Sequence, residues 1–255
     1  MNPRVEIHDR LRRYYTAYYR DTLGIPDWAT LVRLREDEAA PERGRVERLA
    51  RLLGAERLRG RVLNVGCGTG GFDAAAAAVG LGCVGVDADP EAIAICGALR
   101  GGRHARAVSE TLPFRGGAFD LVYCFSVIEH VASVERSIRE MVRVTRAGGA
   151  IYVHTPNAWS CYEGHYKLFW LPFLPRPLGA AYLSLRWRPS AYLATLRRLT
   201  RGRLVRAFRA AGVTALTFYT DDRPRESLSR LRPLTGLYYR AFRVVPFLEL
   251  VARKP

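Results

Sequence analysis

Apolar positions recur every three to four residues over 5–21 and 42–58. In the second stretch Leu49, Leu52, Leu53 and Leu58 keep one face apolar while arginines cover the other, which predicts two surface helices. An acidic, irregular stretch at 35–41 reads as their connector. From Arg61 the rhythm shortens. Apolar runs at 62–65, 82–86, 105–108, 121–125 and 150–155 alternate with helical stretches at about 71–79, 90–99 and 133–146. Such alternation predicts βαβ units in a doubly wound α/β fold, with ligands at the carboxyl ends of a mainly parallel sheet. Beyond Asn157 the pattern breaks. Residues 158–189 are rich in aromatics and proline, and Pro172, Pro175 and Pro177 forbid one continuous helix through them. A helix is predicted over 190–212, capped by Gly212. Residues 213–219 and 246–253 then close the sheet as an antiparallel pair, giving seven strands, and the intervening 224–242 reads as helical although Pro233 interrupts it. The organisation expected is a helical cover at 1–60 and an α/β domain at 61–255 that carries 158–189 as a lid insert.

Composition narrows the class. At 255 residues, 49% hydrophobic and 25% charged, the chain is too apolar for disorder and too charged for a membrane bundle. No apolar run predicts a spanning helix, and the start MNPRVE predicts no secretory leader. Cysteines 67, 83, 96, 124 and 161, an odd and scattered set without a CxxC pair, read as reduced thiols of a cytoplasmic protein. The net charge of +16 is uneven, because residues 161–255 carry 18 basic and 5 acidic side chains. Only Lys167 and Lys254 are lysines, so an arginine-rich composition is one source of the excess. The other is a surface facing something anionic: lipid head groups, a phosphorylated substrate or nucleic acid.

The strongest local signal is RVLNVGCGTGGF at 61–72, a strand running through Gly66-Cys67-Gly68-Thr69-Gly70-Gly71 into a helix. Glycines serve where a backbone turns sharply and a ligand approaches it without a Cβ in the way. The next strand ends at Asp87, 21 residues after Gly66, where a carboxylate accepts hydrogen bonds from ribose hydroxyls. Together they read as a nucleoside-cofactor site. Taken alone, the loop also fits GxGxxG at 66, 68 and 71, which leaves NAD open; no Gly-Lys-Ser/Thr follows, so a Walker A loop is excluded.

Four segments taken in order carry a more specific signal: VLNVGCGTGGF (62–72), GVDADPEAI (85–93), ETLPFRGGAFDLVYCFSVIEHV (110–131) and MVRVTRAGGAIYVHTPN (141–157). Over about 45–157 the chain resembles the class I S-adenosylmethionine-dependent methyltransferases, and more closely the branch of small-molecule and quinone O-methyltransferases. The resemblance implies a Rossmann-like methyltransferase fold and S-adenosyl-L-methionine as cofactor. It implies that Gly66, Cys67, Gly68 and Gly70 wrap the methionyl part and that Asp87 holds the ribose. Ala88 would lie against the adenine, with Ser109 and Glu110 at its edge, and Phe125 and Ser126 would face the transferred methyl. Two positions depart from the family pattern. Asn64 stands where an acid is frequent, and Val108 where an aspartate often meets the adenine.

Methyl transfer needs a base only where the acceptor must lose a proton. His130, in IEHV beyond the fourth strand, and His165, among the aromatics of the insert, are the candidate bases, each set against a structural role. His8 and His104 are expected to be exposed. No HExxH and no Cys/His set with ligand spacing appears, so no metal is implied. The insert reads either as a lid over the acceptor or as an interfacial segment. In the second case Phe169, Trp170, Leu171, Phe173 and Leu174 would enter an anionic membrane surface beside Arg176, Arg186 and Arg188. The function expected is O-methylation of a small or lipid-like metabolite. The alternatives are RNA or tRNA modification by the basic C-terminal third and a non-catalytic scaffold; against nucleic acid, no RNA-binding module is recognisable.

Overall fold

The computed structural model describes residues 3–37, 39–54, 60–220 and 232–255. Three N-terminal helices, α1 (Pro3–Thr16, continued by a π-helical turn, Ala17–Thr22), α2 (Trp28–Glu36) and α3 (Ala39–Leu53), precede the alternating core. The core runs β1 (Arg61–Val65), α4 (Gly71–Ala78), β2 (Gly82–Asp87), α5 (Pro90–Arg100), β3 (Arg103–Arg106), β4 (Phe119–Phe125), α6 (Val134–Val144) and β5 (Thr145–Pro156). The insert holds a short hairpin, β6 (Tyr162–Glu163) and β7 (Leu168–Phe169), then α7 (Arg176–Leu185) and α8 (Ala191–Thr195). After it come α9 (Arg201–Ala210), β8 (Ala215–Tyr219), α10 (Arg232–Ala241) and β9 (Phe247–Arg253).

The seven-stranded sheet has the order β3-β2-β1-β4-β5-β9-β8, parallel except for β9, which runs antiparallel to both neighbours. Alternation of side chains along each strand divides the core in two. Leu63, Val65, Val122, Cys124, Ile151 and Val153 face one layer, with α6 and α9. Val62, Leu121, Tyr123 and Tyr152 face the other, with α3 and α4. A third cluster joins α1 and α2 to the insert through Leu11, Leu23, Leu31, Tyr166, Leu168 and Leu183. The N-terminal segment is thus divided. Its first two helices build the cap with the insert, while α3 belongs to the sheet. Strand order reverses between β1 and β4, which places the ligand crevice at their carboxyl ends.

Several boundaries differ from the sequence expectation. The connector at 35–41 is shorter, because α2 occupies 28–36 and turns Leu31 and Val32 into the cap core. The third strand lies at 103–106, two residues early. The helix expected over 190–212 is two helices. Between them the backbone runs extended so that Arg197 N–H donates to Glu129 O and Leu199 O accepts from Ala158 N–H, bonds a helix would consume internally. Thr200, whose hydroxyl accepts from Arg203 N–H, then caps α9. Residues 224–231 of the helical stretch proposed at 224–242 lie outside the described residues. Among the described residues no helix is long and apolar enough to cross a membrane.

Candidate active site

The crevice starts in the main chain. Gly66 turns at φ +75, and a Cβ there would overlap the Val127 side chain, so no other residue fits. The N–H groups of Gly66 and Cys67 both donate to Val86 O, at 2.7 and 3.0 Å, which fastens the loop to β2. Gly68, at φ +53, has open space where a Cβ would stand. Its N–H donates to Asp87 Oδ2 at 2.8 Å, while Asp87 Oδ1 accepts from Asp89 N–H at 2.9 Å. Burial raises the Asp87 pKa above the usual aspartate value, outweighing those N–H donors. Helix α1 pins the loop from above, with Tyr15 and Thr69 hydroxyls 2.9 Å apart and Tyr14 donating to Asp89 at 2.9 Å.

Two cavities flank this loop. The smaller, about 370 Å³, is lined by Asp87, Ala88, Val108, Ser109, Glu110 and Val131 among others. The larger, about 600 Å³, is walled by Tyr14, Tyr15, Tyr18, Tyr19, Phe72 and Tyr162 among others. Gly66, Phe125, Ser126 and His130 line both and form the shared rim. Ser126 sits there in the left-handed region, φ +54, held by its N–H bond to His154 O. Cys67 and Gly68 join the larger cavity, whereas Gly70 faces away, packed toward Cys96 and Arg100. Ser109 and Glu110 also tie the smaller cavity to α6: Ser109 meets the Ser137 hydroxyl at 2.8 Å and Glu110 accepts from Ser133 N–H.

The acid absent at position 64 is found nine residues on. Buried Asn64 donates to Asp73 Oδ1 at 2.7 Å, Cys83 Sγ approaches the same oxygen at 3.0 Å, and His104 Nε2 lies 3.1 Å from Oδ2. His104 is therefore nearly buried, not exposed, and its hydrogen bond to Asp73 raises its pKa. Arg45, read from sequence as part of a solvent face, instead stands 4.1 Å over the Phe125 ring and pairs with buried Glu42, both lining the larger cavity. Arg48 likewise turns inward to Glu249 at 2.8 Å. Helical periodicity marks a polar face without saying whether water or a buried acid meets it.

The structure brings His130 and His165 together. Their rings are 5.0 Å apart, edge to face, and Tyr192 stands 5.7 and 5.6 Å from them. Between them lies Glu129, 2% exposed, which accepts from Thr155 Oγ1 at 2.8 Å. Burial lifts its pKa to about 7. Burial and the neighbouring His165 lower that of His130 to about 4. For His165 burial acts downward, but the Glu163 hydrogen bond and the charges of Glu163 and Glu129 prevail and raise it. Neither Glu129 nor Glu163 was singled out from sequence; only IEHV held a trace of the first. His154, in contrast, is stacked between Phe125 and Phe247 as a packing residue.

Comparison with known proteins gives concordant results. Residues 63–153 match a family model described as a methyltransferase domain. An uncharacterized methyltransferase of Mycobacterium sp. (strain JLS) is 48% identical over 89 residues, 34% of this chain and 35% of its own, so the match spans about a third of that relative. A ubiquinone biosynthesis O-methyltransferase of Rhizobium etli is 33% identical over 189 residues, 63% of this chain and 73% of that protein. A solved S-adenosylmethionine dependent methyltransferase of Mesorhizobium loti superposes with a TM-score of 0.54 at 19% identity, covering 76% of this chain and 91% of that one, a likeness of fold.

Proposed function

The chain belongs to the class I S-adenosylmethionine-dependent methyltransferases, and from that premise we propose that it methylates an oxygen of a small lipophilic acceptor. The residues present fit the cofactor: open space above Gly68, a carboxylate at Asp87 on the smaller cavity, and a rim that opens into the larger one. Gly66, Cys67 and Gly68 would hold its amino-acid end and Asp87, Ala88 and Ser109 its nucleoside. When bound, the cofactor supplies a methyl group on a sulfonium, which the acceptor oxygen takes as the carbon–sulfur bond breaks and a neutral thioether is left.

The observation that carries the reading is the larger cavity. Four tyrosines of the N-terminal helical segment and Phe72 give it an aromatic wall suited to an apolar ring or chain, and polar groups line it as well, among them Glu42, Arg45, Lys167 and the His130–His165 pair. Those walls orient the acceptor and exclude water, and the Glu129–His130–His165 group handles the hydroxyl proton. The name of the Rhizobium etli relative, an O-methyltransferase of ubiquinone biosynthesis, supports oxygen as the atom and a prenylated phenol as the acceptor class. Incubation with the cofactor and a panel of phenols with and without polyprenyl tails, read by mass spectrometry, tests this. Ether products that form faster with tailed phenols are expected; products methylated only at nitrogen or carbon would refute it.

The exposed side of the insert supports delivery of that acceptor from an anionic membrane surface. Leu171, Phe173, Leu178, Leu185 and Trp187 are exposed, Trp187 at 92%, beside Arg176 and Arg186. Leu178 and Leu185 share one side of α7, two turns apart. Trp170, by contrast, packs into the cap against Tyr182. Flotation with phosphatidylglycerol vesicles, lost in a Leu185→Ser/Trp187→Ser variant, is the expected result. Equal flotation of the two proteins would remove the surface from the account, and a salt-sensitive shift with tRNA in its place would return the charge to nucleic acid.

A further inference from the structure

All five cysteines are free thiols, and three of them gather around Asp73 on α4. Cys83 Sγ on β2 lies 3.0 Å from Asp73 Oδ1, which also accepts from Asn64, while His104 meets Oδ2. The carboxylate and Cys83 are thus engaged with one another. Cys67, in the glycine loop, and Cys96, on α5, are left to each other, their sulfurs within 4.8 Å and the Cys67 thiol donating to Cys96. Gly70 makes that approach possible, because a Cβ there would overlap Cys96 Sγ and push the helix thiol off the loop. The two sulfurs differ in access. Cys96 is fully buried, whereas Cys67, itself nearly buried, lines the larger cavity, where a small solute can reach it. They differ in acidity too. Donating to Cys96, together with burial, raises the pKa of Cys67; accepting that bond lowers the pKa of Cys96 against its burial, with His104 and Arg100 helping.

We propose that Cys67 and Cys96 are a peroxide-sensitive pair whose disulfide disables the cofactor loop. That consequence rests on the reading of residues 66–68 as the seat of the cofactor's amino-acid end; the bond itself does not. In a first step Cys67 Sγ takes an oxygen from hydrogen peroxide. The sulfur–oxygen bond forms, the oxygen–oxygen bond breaks, and the departing hydroxide leaves as water with the thiol proton. In a second step Cys96 Sγ attacks the sulfenic sulfur. The sulfur–sulfur bond forms, and the hydroxyl leaves as a second water with the Cys96 proton. Both sulfurs are oxidised and the peroxide is reduced. The protonated state of Cys67 slows the first step, so the dithiol is the resting state, while the lowered pKa of Cys96 favours the second. A disulfide needs its sulfurs about 2.05 Å apart. Helix α5 is fixed by its own hydrogen bonds and by the pairing of Arg10 with Glu91, so it is the loop that moves, drawing Cys67 out of the cavity wall and disturbing the Gly68 N–H bond to Asp87.

The experiment uses the full chain, reduced, freed of reductant and exposed to hydrogen peroxide. Peptide mass spectrometry should find Cys67 joined to Cys96. Calorimetry on the same samples should find S-adenosylhomocysteine affinity lowered about tenfold or more and restored by dithiothreitol. Cys96→Ala should bind S-adenosylhomocysteine as the unaltered chain does, which shows that it folds. It should form no linked peptide and instead yield Cys67 to dimedone, a reagent for sulfenic acids. Three results would overturn the proposal: Cys67 and Cys96 both recovered as thiols at peroxide levels that oxidise the chain's methionines, Cys67 joined to Cys83 in place of Cys96, or a linked protein whose affinity is unchanged. A linked peptide from a chain that binds no S-adenosylhomocysteine when reduced would uphold the pair and count instead against the reading of the loop.

Discussion

The two ends of the cleft are built from different material. The proposed cofactor end is main chain: two N–H groups fastened to Val86 O, a third to Asp87, and a glycine loop that spans a few residues after β1. The proposed acceptor end is side chains, drawn from α1, α3, the loops after β4 and β5, and the insert. Main-chain architecture tolerates no change of shape at its turning points, whereas a wall of side chains can be rebuilt piece by piece. The cofactor end should therefore fail all at once and the acceptor end by degrees.

Gly66→Ala should show the sharpest break. Its Cβ requires both a left-handed backbone and the space of Val127, so S-adenosylhomocysteine binding should vanish and thermal unfolding should show a loss of about 2–4 kcal/mol. His165→Ala probes the other end. Turnover should fall about 10- to 100-fold while calorimetry finds cofactor affinity unchanged. A parallel loss of cofactor affinity would show that the two ends are not separable.

Asp87→Asn should weaken S-adenosylhomocysteine about tenfold, since losing the charge from its bond to a ribose hydroxyl costs about 1.5 kcal/mol, the low end for charge-assisted bonds. Its pH dependence is more informative. Because the folded pKa lies above the usual aspartate value, the carboxylate contributes stability that is present below the unfolded value and lost as pH rises through the folded one. Cofactor binding runs the other way. It needs the ionised form, so affinity should decline as pH falls toward that raised value, earlier than for an ordinary aspartate, and the Asn variant should be flat across the same titration. The smallest effect expected is that of Tyr15→Phe, which removes one buried hydroxyl contact to Thr69; about 1 kcal/mol of stability and a few-fold in cofactor affinity should be lost.

The same division governs what was legible. The strand, glycine turn, helix and Asp87 lie within about thirty residues, so their pattern is local and the sequence alone places them. The acceptor wall is non-local. Arg45 and Arg48 look like solvent residues until α3 is laid against Phe125 and Glu249. His104 looks exposed until β3 brings it to Asp73. The break at 196–200 has no proline to announce it; it exists because Glu129 and Ala158 offer backbone bonds there. Glu129 itself is one letter of a motif, and nothing in that letter says it will be buried between two histidines.

The chain's own order of residues determined the βαβ alternation, the antiparallel closing pair and the loop-plus-acid of the proposed nucleoside site, since periodicity and glycine conformation act over neighbouring residues. Only tertiary structure decided which arginines turn inward, how the cap joins the insert and which carboxylate stands between His130 and His165. Those outcomes depend on burial and on partners tens of residues away, and the free energy of a buried charge is set by what surrounds it.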